Sequence, residues 1–120
     1  MTMYFAAGST TGDLSHDDLR AALARTFQQL GHREKVLALP PDFTRANSMA
    51  GPLTCMVHEH FGSRLSDVMP ALGTHIPMPD WQLDRMFPGL PKSLVRAHDW
   101  RQDVVTVGEV PAGFVREGVL

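Results

Sequence analysis

The sequence predicts an α/β fold in three layers, a mainly parallel sheet with flanking helices. Two kinds of periodicity predict it, together with the punctuation between them. One segment near the start carries apolar residues at helical spacing, and two short apolar runs without polar alternation lie either side of a second helical pattern. Glycine and proline mark nearly every boundary. Strand, helix, strand, helix is the order parallel neighbours require, because a crossover helix has to join them.

The first helix is expected over residues 16–30. Ser15 stands where an N-cap belongs, and Asp17 and Asp18 would meet the positive end of the helix dipole. Leu19, Leu23, Phe27 and Leu30 then form one apolar stripe, and Gly31 is placed to stop it. Residues 35–39, Lys-Val-Leu-Ala-Leu, read as a strand buried on both faces and ended by Pro40 and Pro41.

A loop of Asp42-Phe43-Thr44-Arg45 leads into a second helix carrying Met49, Leu53, Met56, Val57 and Phe61, stopped by Gly62. Gly51-Pro52 predicts an irregular first turn or a start at Pro52. Residues 67–72 resemble another strand, with Pro70 arguing against a regular ladder. Pro79-Asp80-Trp81 opens a short helix to Met86 or Phe87, closed by Pro88-Gly89. Residues 94–100, 104–107 and 114–115 read as further short strands.

At 120 residues the chain has the size of one domain, and average hydrophobic content (43%) and charged content (20%) point to a globule rather than a disordered or fibrous chain. The longest apolar runs, 36–41 and 68–72, fall far short of the roughly 20 residues a bilayer span takes. One cysteine cannot form an internal disulfide, and the first residues lack a basic signal-like region, so a cytoplasmic setting is expected. Eleven scattered Lys and Arg residues against a net charge of −2 argue against nucleic acid as a partner, and no membrane partner is expected.

Chemistry concentrates in two segments, each just after a predicted strand and therefore on the edge where open α/β sheets bind ligands. In the first, Asp42, Thr44 and Arg45 bring an acid, a hydroxyl and a guanidinium within four residues. Arg45 suits a carboxylate or phosphate, and Asp42 could orient it or bind a ribose or substrate hydroxyl. The plainer alternative is that Asp42 caps the turn and pairs with Arg45 at the surface. In the second, Gly73-Thr74-His75 sets a histidine on a glycine turn, available for proton transfer or merely hydrogen-bonded to its loop.

Other histidines carry less. His58 and His60 are two apart on a helix and face different ways, so a solvated face is expected rather than a metal site. In His98-Asp99-Trp100-Arg101, Asp99 need not touch His98, because neighbours on an extended segment point oppositely. Cys55 has no C-x-x-C partner, and GxGxxG, GxxxxGK[ST] and GxSxG are absent. Thr44 stands where a phosphoaspartate loop would need its second acid.

Taken in order, Pro40-Pro41-Asp42-Phe43-Thr44-Arg45, Pro70-Ala71-Leu72-Gly73-Thr74-His75-Ile76-Pro77-Met78, His98-Asp99-Trp100-Arg101 and Val107-Gly108-Glu109-Val110-Pro111 resemble the lactate racemase family over most of residues 8–113. The resemblance implies a Rossmann-like N-terminal domain and a nickel-pincer nucleotide that takes a hydride from a 2-hydroxy acid while histidines act as acid and base. By the same resemblance Asp42, Thr44, Arg45 and Gly73 contact cofactor or substrate, Arg45 holds the substrate carboxylate, and His75 is one of the catalytic pair. Where the lactate racemase itself has arginine between that histidine and the proline, Ile76 stands here, which points away from lactate.

The family's cofactor-anchoring lysine, nickel-binding histidine and second catalytic histidine fall beyond residue 120. The 120 residues are therefore expected to form the N-terminal portion of a two-domain racemase or epimerase, inactive in isolation. Exposed apolar surface is expected where the remaining domain docks, with self-association through it. The rival expectation is a non-catalytic module that binds a nucleotide or carboxylate.

Overall fold

A computed structural model describes residues 3–117. It shows a small α/β fold: helices α1 (His16–Leu30), α2 (Ala50–Phe61), α3 (Asp80–Met86) and α4 (Ala112–Glu117), with a two-stranded parallel sheet of β1 (Val36–Ala38) and β2 (Leu65–Val68).

Local signals set α1. Ser15 Oγ accepts from the Asp18 amide at 3.2 Å while Asp18 Oδ2 accepts from the Ser15 amide at 2.9 Å, a reciprocal capping box. At the other end Gly31 adopts φ 71°, and its N–H donates to the Phe27 and Gln28 carbonyls. The second helix begins at Ala50, after a 3₁₀ turn (Phe43–Ser48) and the left-handed Met49. Gly51 lets α2 and α3 come together: a Cβ at that position would collide with the Met86 carbonyl oxygen, so the two helices lie closer than any side chain at 51 would allow.

The core is built on β2. Leu65 and Val68 are fully buried among Phe61, Met86, Phe87 and Leu90, and α2 touches both strands while α1 packs on α2. Burying these side chains is the main drive to this arrangement. The strand expected over 35–39 spans only Val36–Ala38 and is not buried on both faces: Val36 and Ala38 pack against the core, whereas Leu37 is 51% exposed and Leu39, just beyond the strand, 61%.

The second strand starts earlier than expected, at Leu65, and as a regular strand it ends at Val68, two residues before Pro70, whose missing N–H would face away from β1. The parallel course nevertheless persists: the Met69 N–H donates to the Ala38 carbonyl and the Ala71 N–H to that of Pro40, each at 2.8 Å, and Pro41 pairs with Ala71. On the far side of β2, Val95 pairs in parallel with Val68, and the Arg96 N–H donates to the Val68 carbonyl at 2.9 Å.

The last three expected strands are corrected. Of 94–100 only Val95 pairs, since the chain turns at Asp99, whose carbonyl accepts from the Gln102 and Asp103 amides. Residues 104–107 find no sheet edge among the described residues, and Val107 is 97% exposed; without a ladder, β-propensity alone makes no strand. Phe114 and Val115 lie in helix α4. No described helix is long and apolar enough to cross a membrane.

Candidate functional site

Three parallel segments end on one edge of the sheet, and each delivers polar residues there. After β1, Pro41 hands the chain to Asp42, which caps the following turn by accepting from the Thr44 N–H at 3.1 Å through Oδ1. Thr44 Oγ1 donates to the same oxygen at 2.5 Å. After β2, the chain reverses through a tight turn in which the His75 N–H donates to the Leu72 carbonyl at 2.9 Å. Gly73 makes that turn possible, since its φ is +58°.

The turn brings His75 Nδ1 to 2.5 Å from Asp42 Oδ2. The two residues expected on one rim are thus in direct contact. An ionised carboxylate only accepts, so Nδ1 carries the proton, and in the neutral ring the lone pair is then on Nε2. Asp42 is only 6% exposed, whereas the His75 side chain is 56% exposed, so the carboxylate is a buried anchor and the imidazole is open to solvent. Burial pushes the Asp42 carboxyl up, but hydrogen bonds from the Thr44 hydroxyl, His75 and the Thr44 amide outweigh it and hold the group below the usual carboxylate value.

Around His75 open two clefts. One of about 400 Å³ is lined by Asp42, Phe43, Thr44, Thr74, His75, Ile76, Met78 and Gln82. The other, about 370 Å³, is lined by Thr74, His75, Ile76, His98, Trp100 and Arg101 among others. Phe43 is held over the first by its N–H, which donates to Met78 Sδ at 3.1 Å, and by edge-on packing against Trp81 at 5.2 Å.

Not every expected residue reaches the clefts. Arg45 is exposed and lines neither; its backbone N–H donates to the Asp42 carbonyl at 3.0 Å, and its guanidinium pairs with no described residue. The surface pair of Asp42 with Arg45 therefore does not form, because His75 and Thr44 occupy both carboxylate oxygens. Gly73 shapes the turn and lines neither cleft. Its neighbour Thr74, not singled out in the sequence, lines both; its only signal is a polar side chain in a turn beside a histidine.

His98 and Arg101 do reach the second cleft. Asp99 leaves His98 alone and instead accepts from the Arg101 N–H at 2.9 Å. In α2, Glu59 pairs with Arg20, the exposed His60 packs against Phe27 with ring centres 4.8 Å apart and tilted by 41°, and His58 is half-buried. Burial raises the Cys55 thiol pKa, and its Sγ lies 3.7 Å from the Pro88 carbonyl, an inert setting for a nucleophile. Among the described residues no three His, Cys, Asp or Glu gather as a metal site.

No protein-family model, curated protein or solved structure matches the chain.

Proposed function

We propose that this chain supplies the acid–base half of an active site that racemises or epimerises a small 2-hydroxy acid, in the manner of the lactate racemase family. The single observation that carries the reading is the buried Asp42 carboxylate holding Nδ1 of an accessible His75 at the mouth of two clefts. That arrangement selects one tautomer and offers Nε2 as a base.

In the reaction, His75 Nε2 accepts the proton of the substrate hydroxyl as the α carbon–hydrogen bond breaks, which avoids a protonated ketone. Asp42 keeps the imidazole ring oriented and offsets the positive charge it acquires, and Thr44 in turn fixes Asp42. Return of the proton from the imidazolium restores the hydroxyl. The nickel-pincer nucleotide, when bound, supplies the hydride acceptor.

The residues present suit the substrate side of such a cofactor: an acid–base dyad beside an open cleft. The resemblance places the anchoring lysine, the nickel-binding histidine and the second catalytic histidine outside these 120 residues. Activity accordingly belongs to this chain together with the segment that carries them. In that assembly the β1–β2 sheet extends into a three-layer, Rossmann-like domain, and the open face bearing Leu37 and Leu39 is covered. A cytoplasmic setting fits the unpaired Cys55.

The cofactor-loaded holoenzyme, given single enantiomers of a panel of 2-hydroxy acids and followed by chiral chromatography, is expected to interconvert at least one pair. Loss of His75 should reduce the rate by about 10²–10⁴-fold.

A further inference from the structure

We propose that the second cleft is the carboxylate subsite of this same active site, with Arg101 as the guanidinium that takes the anionic end of the substrate. The inference rests on the hydroxy-acid reading and deepens it. In a 2-hydroxy acid the carboxylate and the carbinol are joined by one bond, so the groups that read them must line one cleft. His75 and Arg101 do so; Arg45, the guanidinium the resemblance pointed to, does not.

Topology accounts for the meeting. Val95 pairs in parallel with Val68, which sends the following residues to the edge where β1 and β2 deliver Asp42 and His75. The turn after His98 is then fixed by its own acids: Asp99 accepts from the Arg101 amide at 2.9 Å and Asp103 from the Asp99 amide at 3.2 Å. Both carboxylates are thus engaged with backbone, and neither neutralises the Arg101 guanidinium, which has no ion pair among the described residues.

Arg101 is also oriented. Its Cζ sits 4.1 Å from the centre of the Trp100 ring. A guanidinium held over the ring face by a cation–π contact spends none of its N–H groups on that contact, and its fork is what matches two carboxylate oxygens side by side. His98, on the same wall, adds an imidazole hydrogen-bonding group, and Thr74 a hydroxyl.

The test is a titration of the isotope-labelled chain, followed by nuclear magnetic resonance at arginine Nε and the histidine rings. The probes are racemic 2-hydroxybutyrate, its neutral amide and butyrate. Saturable shifts at Arg101 and His75 with 2-hydroxybutyrate are expected, with binding weakened about tenfold or more for the amide and in Arg101→Ala, and partly retained in Arg101→Lys.

Arg101 lies exposed outside the core, so the alanine variant should keep the wild-type spectrum elsewhere. Shifts at His75 that saturate with unchanged affinity in Arg101→Ala overturn the subsite and leave the hydroxy-acid reading standing. Butyrate matching 2-hydroxybutyrate in affinity, moving Arg101 but not His75, supports the subsite and removes the hydroxy-acid reading. No shift at Arg101 with any probe overturns the subsite.

Discussion

Asp42 and His75, thirty-three residues apart in the chain, meet across the sheet edge with Oδ2 and Nδ1 2.5 Å apart. Neither loop makes the contact alone: Asp42 is fixed by the turn it caps, and His75 by the reversal at Gly73.

Replacing Asp42 by Asn should release the imidazole from a single tautomer, because the amide can accept through its oxygen or donate through its nitrogen. Long-range proton–nitrogen correlation at neutral pH should show His75 protonated at Nδ1 in the wild type and mixed in Asp42→Asn. An unchanged tautomer would disconnect the carboxylate from the base.

Acid should weaken the fold through Asp42. Its folded pKa lies below its unfolded one, so the stability it contributes is present in full above the ordinary carboxylate pKa of about 3.9. It is lost as pH falls from there through the depressed folded value. Denaturation midpoints measured from pH 6 down to pH 2 should fall more steeply for the wild type than for Asp42→Asn; parallel curves would contradict the assignment.

Gly51→Ala tests the α2–α3 approach. Helix propensity alone would favour alanine by about 1 kcal/mol, but the new methyl meets the Met86 backbone carbonyl, which is no flexible side chain. A net loss of about 1–3 kcal/mol is expected in urea unfolding. A stabilised variant would show that the helices can separate freely.

At Gly73 open space surrounds the Cα, so the cost of a side chain is conformational only. Gly73→Val should lose about 1–2 kcal/mol and shift the His75 resonances, while Gly73→Asn, which tolerates left-handed φ, should lose less. Equal losses would mean that the turn is not held left-handed.

Much of this is legible in the sequence where the cause is local or topological. The Ser15–Asp18 box and Gly31 bound α1 to the residue, and parallel strands oblige Asp42 and His75 to share an edge. Residues 104–107 and 114–115 look like strands and are not, because a strand exists only with a partner, and hydrophobic runs do not name one. Arg45 departs from expectation for a different reason: within a tight turn, which carboxylate oxygen is already taken decides which side chain turns outward. The arrival of His98 and Arg101 beside His75 hangs on one parallel bridge, Val95 to Val68, that no local pattern announces.

The most direct test of the central claim is enantiomer interconversion by the cofactor-loaded holoenzyme, wild type against His75→Gln, across a panel of small 2-hydroxy acids. Interconversion of at least one acid is expected, reduced about 10²–10⁴-fold in the variant. A loaded wild-type enzyme that interconverts none, or a variant that retains full rate, would contradict the assignment of His75 as the base.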